Sequence, residues 1–216
     1  MAIRIGTILV GCAAFASPAI ASDSAAVSPT GDAELLACGP SVEPTTLRAI
    51  IRVESGGRPY AIYVNGAASQ PMPSPSASEA TATAESWIAR GYSVDLGLMQ
   101  VNNRNLQELG YSVAQMFDPC TNVRAGATIL TADYLSALPT RPDPQTALRA
   151  ALSAYNTGTF DRGFYNGYVA KFYGPHGAGA GGPIITAAAL RTARPAAPPN
   201  PYTAQPTVYH RSSNDD

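Results

Sequence analysis

The sequence has little excess charge and few long apolar runs. Its 216 residues carry 14 Lys and Arg against 15 Asp and Glu, which gives a formal net charge of −1. Such a balance leaves no basic surface for phosphates, so nucleic-acid binding is excluded as a function. No internal repeat is visible, and the length fits one mid-sized domain with appendages.

The apolar stretch near the N-terminus is too short and too rich in small residues to be a good membrane span. Arg4 precedes an apolar run over residues 5–15, and Ala19-Ile20-Ala21 forms a small-x-small cleavage site. This order predicts an export signal over residues 1–21, cleaved after Ala21, and hence a periplasmic protein. Cys12 ends a lipoprotein-like box, so a lipid-anchored form is the alternative.

Three cysteines are present, and cleavage of the export signal removes Cys12. The two that remain, Cys38 and Cys120, are expected to pair because exported proteins mature in an oxidising compartment. Their disulfide would tether the segment before one predicted helix to the start of a later one. Two free buried thiols are the alternative.

Composition divides the rest of the chain into three parts. Residues 22–37 are small and polar, and they predict a flexible N-terminal segment. Residues 38–173 predict an ordered, mainly helical domain. It has one short β element or extended loop over residues 58–66, which ends in an Asn65-Gly66 turn. Residues 174–216 are rich in Gly, Pro and Ala without a periodic apolar face, and they predict a disordered tail.

Apolar periodicity and end signals place the helices of the domain. They are predicted over residues 44–54, 79–90, 103–109, 119–138 and 146–154, with a last short helix that holds Tyr168 and Phe172. Ser78 is the expected cap of the second helix, and Gly91 is its expected end. The Pro- and Ser-rich residues 70–78 form a surface loop to which no role is assigned.

Glu54 is the residue around which the sequence is organised. Three aliphatic side chains precede it at helical spacing, namely Leu47, Ile50 and Ile51, so its carboxyl group lies on an apolar helix face. Gly56-Gly57 ends the helix, so the negative end of the helix dipole also faces this carboxyl group. Both effects raise its pKa, which suits a general acid. The alternative is a side chain that turns into solvent at a frayed helix end.

Further polar motifs interrupt the apolar pattern downstream of Glu54-Ser55. They are Gly97-Leu98-Met99-Gln100-Val101-Asn102, Ala154-Tyr155-Asn156-Thr157-Gly158 and Tyr168. Amides, hydroxyls and aromatic rings around one acid are typical of a saccharide-binding cleft. In this order, over residues 38–173, the motifs resemble the SLT-type lytic transglycosylase family, which has a goose-lysozyme-like fold.

Other details resemble the branch of that family that accompanies type IV secretion and conjugation systems. They are Tyr60-Ala61-Ile62 with Val64-Asn65-Gly66, Phe117-Asp118-Pro119-Cys120-Thr121-Asn122, and Asn166-Gly167-Tyr168-Val169. This resemblance implies a monomer whose partners are envelope components of a secretion system. The tail over residues 174–216 is the candidate contact, and a passive linker is the alternative reading of it.

The resemblance implies cleavage of the β-1,4 bond between N-acetylmuramic acid and N-acetylglucosamine in peptidoglycan, with formation of a 1,6-anhydro product. It makes Glu54 first the acid and then the base, and it needs no cofactor and no metal. It also carries over a set of substrate-binding residues, which are Ser55, Met99, Gln100, Asn102, Tyr155, Asn156 and Tyr168.

Two other functions stay open. A hydrolytic muramidase needs a second carboxyl group, and Asp95 is the nearest acid within the motifs. The Asp-Leu-Gly context of Asp95 also fits a structural turn residue that bonds backbone amides. A non-catalytic peptidoglycan-binding assembly factor would keep the cleft and act by docking.

Overall fold

The computed structural model describes residues 28–173. The predicted export signal, Cys12 and the predicted tail over residues 174–216 lie outside the described residues. Within residues 28–173, no helix is both long and apolar enough to cross a membrane. The described helices are α1 (Asp32–Cys38), α2 (Pro44–Glu54), α3 (Ala77–Ala89), α4 (Leu106–Leu109), α5 (Pro119–Ala137), α6 (Pro144–Thr157), α7 (Arg162–Tyr165) and α8 (Ala170–Tyr173).

Three short strands form one antiparallel sheet in the order β1-β2-β3. They are β1 (Ile62–Val64), β2 (Val94–Leu96) and β3 (Val101–Asn102), and 3₁₀ turns occupy Asn103–Asn105 and Ala114–Phe117. Tyr63 pairs with Asp95 on one side, and Asn102 pairs with Asp95 on the other. The predicted mainly helical domain with a small extended element is therefore confirmed.

Helix α2 begins and ends where its sequence predicts. Pro44 occupies the first turn, where its missing N–H costs nothing. The Ser55 N–H donates to the Ile51 carbonyl, and Gly56 and Gly57 follow at φ of +64° and +83°. Such angles are open to glycine at little steric cost, so the chain can turn away directly after Glu54.

Helices α5 and α6 form the centre of the core. The caps Asp118 and Asp143 each accept a hydrogen bond from a backbone N–H three residues later, at 2.8 Å. Alanines on the buried face of α6 allow the two helices to approach closely. They are Ala147, Ala150, Ala151 and Ala154.

Helix α6 is longer than the sequence pattern predicts. It continues through Tyr155 and Asn156 to Thr157 and ends at Gly158, which has a φ of +75°. The sequence pattern predicts an end at residue 154, because the polar residues that follow are typical of a turn. The extension matters because it places Tyr155 and Asn156 on a rigid helical scaffold.

The N-terminal boundary of the domain also differs from the expectation. Residues 22–37 were expected to be loose, but Asp32–Cys38 forms helix α1 and Leu35 is fully buried. A Glu34 carboxylate oxygen accepts from the Gly31 N–H, which completes the first turn. One buried leucine in a seven-residue helix gives too weak a periodic signal to detect in the sequence.

Helix α3 begins slightly earlier than predicted. Ser76, rather than Ser78, occupies the N-cap position, and its hydroxyl accepts from the Glu79 N–H. The two serine hydroxyls lie 3.0 Å apart, so both belong to the same cap region. The ends of this helix therefore shift by one or two residues from the expected 79–90.

The predicted disulfide is present. Cys38, at the end of α1, is bonded to Cys120, at the start of α5, with their Cα atoms 5.0 Å apart. The two residues are separated by 82 positions, and the bond ties the entry of α2 to the central helix of the core. The pairing expected from an exported chain is confirmed.

Removing this bond is expected to destabilise the domain. The double variant Cys38→Ala/Cys120→Ala should lose about 2–4 kcal/mol of unfolding free energy, because the bond closes a long loop in the unfolded chain. Urea unfolding followed by circular dichroism measures the change. A variant as stable as the oxidised wild type would contradict the assigned structural role.

Candidate active site

The Glu54 carboxyl group is held by a phenol from the other end of the domain. The Tyr168 hydroxyl donates a short hydrogen bond to Glu54 Oε1, and Glu54 is half-buried. The Tyr168 ring is buried and packs edge to face on Phe172, with centroids 5.2 Å apart. The acid is therefore held in place by Tyr168 rather than turned into solvent at a frayed helix end.

Two asparagines connect Tyr168 to helix α6. Asn166 Oδ1 accepts from the Tyr168 N–H at 2.9 Å, and Asn166 Nδ2 donates to Asn156 Oδ1 at 3.1 Å. The turn that carries Tyr168 is thus bonded to the Asn156 side chain. Because helix α6 is rigid, this link positions the phenol that reaches Glu54.

The neighbour of Asn156 makes the next connection. The Tyr155 hydroxyl donates to the Met99 carbonyl at 2.7 Å. Gln100 follows Met99, and its amide donates to the Ala61 carbonyl at 3.2 Å and to the Gly97 carbonyl at 2.9 Å. Helix α6 is thereby tied to the turn between β2 and β3, and that turn is tied to the start of β1.

The last connection returns to Glu54. Arg58 lies in the turn that follows the acid, and its Nε donates to the Ser55 carbonyl at 2.9 Å. The Ala61 N–H donates to the Arg58 carbonyl at 3.3 Å, which joins Arg58 to the residue whose carbonyl accepts from Gln100. Together with the peptide bonds between adjacent residues, these hydrogen bonds form a closed ring, which we call the polar ring. Its members are Glu54, Ser55, Arg58, Ala61, Gln100, Met99, Tyr155, Asn156, Asn166 and Tyr168.

Gln100 has the only positive φ found at a non-glycine residue within residues 28–173, at +49°. Left-handed backbone at a residue with a side chain costs about 1–3 kcal/mol and persists only where surroundings enforce it. Here the two hydrogen bonds of its own amide enforce it. Such strain is common at functional sites.

Three of the predicted substrate-binding residues make structural contacts within the domain. The Met99 side chain is fully buried, and its sulfur would lie 2.7 Å from a Cβ added at Gly126. The Ser55 hydroxyl donates to the Ile51 carbonyl and accepts from the Gly57 N–H, which finishes helix α2. Close packing on α5 therefore covers the Met99 side chain, and the substrate contacts that the resemblance implies for Met99 and Ser55 stay predictions.

Asn102 is the third of these residues. Its Nδ2 donates to Ser93 Oγ and to Asp95 Oδ1, both at 2.7 Å, and its Oδ1 accepts from the Arg104 N–H. Its side chain is buried at 3% exposure, so the amide holds the β2-β3 hairpin together. A substrate contact by Asn102 stays a prediction.

Asp95 is an internal acceptor of the sheet. It is 1% exposed, and its two carboxylate oxygens accept from different side-chain amides, Asn102 at 2.7 Å and Asn65 at 3.1 Å. The structural role considered for Asp95 is favoured, although its partners are side chains and it lies in a strand rather than a turn. Buried acceptors satisfied in this way stabilise the fold.

Asn122 has a structural role that the sequence did not predict. Asn122 is fully buried, and its Oδ1 accepts from the Met99 N–H at 2.7 Å. Its Nδ2 donates to the carbonyls of Leu96 and Met116 at 2.8 and 3.0 Å. It therefore fixes the backbone on both sides of the turn that carries Gln100.

These observations define a mainly helical domain. One carboxyl group is held at the end of a helix by a phenol, and a network of amides and a second phenol is bonded to that phenol. A family model described as a transglycosylase SLT domain matches residues 34–173. The chain therefore belongs to the transglycosylase SLT domain family. The lysozyme-like, SLT-type fold class expected from the sequence is confirmed.

Relatives within that family carry more specific names. The chain is 46% identical over 130 residues to the type IV secretion system protein virB1 of Brucella suis biovar 1, covering 59% of this chain and 53% of that protein. It is 40% identical over 134 residues to protein virB1 of Agrobacterium fabrum, covering 62% and 54%. The chain thus spans about half the length of these relatives. No solved structure matches it.

Loss of charge at Asp95 is expected to destabilise the sheet. In Asp95→Asn one carboxylate oxygen is replaced by an amide donor that faces the amide of a neighbouring asparagine, so a buried hydrogen bond is lost. The free energy of unfolding should fall by about 1–3 kcal/mol. Asp161→Asn is the matched control, since Asp161 is exposed and forms a surface ion pair with Arg141. Equal unfolding free energies for the two variants, measured in urea, would contradict the structural role of Asp95.

Proposed function

We propose that the protein is a peptidoglycan lytic transglycosylase in which Glu54 is the single acid-base catalyst. It would cleave the β-1,4 bond between N-acetylmuramic acid and N-acetylglucosamine and close a 1,6-anhydro ring on the muramoyl sugar. The observation that carries the proposal is the Tyr168 hydroxyl bonded to Glu54 Oε1 at the end of α2, within a domain of the SLT family.

In the first step Glu54 acts as the acid. Its proton passes to the glycosidic oxygen as the bond from that oxygen to C1 of the muramoyl sugar breaks. The carbonyl oxygen of the sugar's own 2-acetamido group bonds to C1 and takes up the developing positive charge. Glu54 is left as a carboxylate, and the N-acetylglucosamine end leaves with a new hydroxyl.

In the second step the carboxylate of Glu54 acts as the base. It takes the proton of the C6 hydroxyl while that oxygen bonds to C1 and the acetamido oxygen is displaced. Glu54 is protonated again, so one residue completes the cycle and no water enters the product. Tyr168 is a positioning residue here, because its donated hydrogen bond fixes the orientation of the carboxyl group for both transfers.

The geometry of Asp95 favours this reaction over hydrolysis. A hydrolytic enzyme of the two-carboxylate kind needs its second carboxylate free to act as nucleophile or as base toward water. Both oxygens of Asp95 accept amide hydrogen bonds, and the residue is buried in the sheet. A muramidase that uses Glu54 and Asp95 is therefore the weaker candidate.

The residues proposed to contact the substrate are members of the polar ring that includes Glu54. Asn156 and Tyr155 come from α6, and Gln100 comes from the strained turn between β2 and β3. Amide and phenol groups bond sugar hydroxyls and acetamides, and aromatic faces stack on sugar rings. Glycan strands of peptidoglycan are the substrate that these groups suit.

The relatives' names support a role of this reaction in type IV secretion. Proteins called virB1, some of them described as type IV secretion system proteins, align with this chain over 130 to 134 residues. We propose that the protein opens the wall locally for such an apparatus, as a monomer in the periplasm. Residues 1–21 would direct its export, and residues 174–216 would be the segment that contacts the apparatus.

Replacing the acid should abolish activity. Glu54→Gln keeps the shape of the side chain but cannot transfer a proton, so release of soluble muropeptides from purified sacculi should fall by about 10³-fold or more. The thermal midpoint should be unchanged or higher, because a catalytic carboxyl group is not optimised for stability. Glu85→Gln on the exposed face of α3 is the matched control. Wild-type release by Glu54→Gln would refute the proposal.

Removing the Tyr168 hydroxyl should slow turnover while leaving substrate binding largely intact. Tyr168→Phe keeps the ring on Phe172 but leaves Glu54 without its phenolic donor, so kcat should fall by about tenfold with KM changed less than twofold. Tyr165→Phe, at a residue with 89% of its surface exposed, is the control. An unchanged kcat in Tyr168→Phe would exclude the positioning role.

A further inference from the structure

A pocket of about 380 Å³ lies between β1 with its preceding turn and the Pro- and Ser-rich loop. Residues 58–63 form one wall and residues 70–74 form the other. The walls are mainly apolar and aromatic, with Tyr60, Tyr63, Pro71 and Met72 among the lining residues. Met72 is 85% exposed, so a large apolar side chain stands at the surface of this loop.

The loop is fastened to the sheet by one side chain. Gln70 Oε1 accepts from the Val64 N–H at 2.8 Å, and Gln70 Nε2 donates to the Val64 carbonyl at 2.9 Å. Within residues 28–173 no strand pairs with this edge of β1, and the Gln70 amide bonds to it as a neighbouring strand would. The pocket has a fixed second wall for this reason, and the loop over residues 70–78 gains a structural explanation.

The pocket adjoins the polar ring at two points. At one end Arg58 Nε donates to the Ser55 carbonyl, next to Glu54. Further along, the Ala61 carbonyl accepts from Gln100 Nε2. A molecule bound at Glu54 and Gln100 could therefore extend into the pocket without leaving the protein surface.

Charge distinguishes this pocket from an ordinary apolar groove. Arg58 is the only ionisable residue among the lining side chains apart from the two tyrosines. It is exposed, and within residues 28–173 it forms none of the recorded ion pairs. Its bond to the Ser55 carbonyl fixes the guanidinium group, whose remaining N–H groups suit a carboxylate.

We propose that this pocket binds the peptide stem of peptidoglycan, with Arg58 as the residue that recognises a stem carboxylate. The stem is a short peptide attached to the muramoyl sugar, and it combines free carboxylates with small apolar side chains. Those features match one cation between proline, tyrosine and methionine walls. The proposal rests on the proposed function, since it places the muramoyl sugar at Glu54, and it adds selectivity for glycan that still carries its peptides.

The first test compares two substrates for each variant. kcat/KM is measured on intact glycan strands and on strands whose stems have been removed by an amidase, and the ratio of the two values is taken. Arg58→Gln should lower this ratio about three- to tenfold, and Arg58→Lys should restore part of it, since it keeps the charge. Arg124→Gln, at an exposed arginine of α5 outside the pocket, should leave the ratio at the wild-type value.

A ratio in Arg58→Gln equal to that of the wild type would overturn the inference while the proposed function stands. Wild-type protein that releases no product from either substrate would instead contradict the proposed function. The binding measurement that follows does not depend on turnover. It also covers the case in which Arg58→Gln disturbs the end of α2.

The second test measures binding in the Glu54→Gln protein by NMR. A synthetic stem tetrapeptide should shift the backbone amide signals of residues 60–63 and of Gln70, Met72 and Ser74. Met72→Ser in the same background should weaken its binding about threefold or more. No shift at millimolar peptide would overturn the proposal. Shifts of the same signals by stem-free chitooligosaccharide alone would also overturn it, because the pocket would then be a sugar site.

Discussion

The hydrogen bond from Tyr168 to Glu54 joins two segments that lie 114 residues apart in the chain. It forms only if α2 ends at Glu54 and if the turn before α8 is fixed against α6. The first condition depends on the left-handed glycines at 56 and 57, and the second on the Asn166 bonds to the Tyr168 backbone and to Asn156. The geometry around Glu54 therefore depends on the whole domain rather than on one motif.

The polar ring explains why so many polar groups are tolerated inside a small helical core. Each buried amide or hydroxyl that loses water must regain a partner, or the fold loses about 1–3 kcal/mol for each one. Gln100 and Tyr155 meet this requirement by donating to backbone carbonyls. Asn122 accepts from the Met99 N–H and so satisfies the backbone of the turn between β2 and β3. A network satisfied in this way resists rearrangement, which keeps the Glu54 carboxyl group in position as the two proposed proton transfers require.

Local patterns in the sequence predict the features that depend on neighbouring residues. Helical spacing places Glu54 on the face of Ile50, and the predicted pairing of Cys38 with Cys120 is confirmed. Features set by tertiary contacts were not predictable. The burial of Met99 depends on the absence of a side chain at Gly126 in α5. The role of Gln70 depends on an edge of β1 with which no strand pairs within residues 28–173. Periodicity carries no information about such contacts.

A single acid that acts twice requires that the sugar's own C6 hydroxyl, and not water, ends the reaction. Digestion of purified peptidoglycan in ¹⁸O-enriched water, followed by mass spectrometry of the released muropeptides, tests this requirement directly. The account predicts muramoyl ends that carry no ¹⁸O and are lighter by one water than reducing ends. Incorporation of ¹⁸O at C1 during turnover would show that water is the acceptor, and it would contradict the assignment of both proton transfers to Glu54.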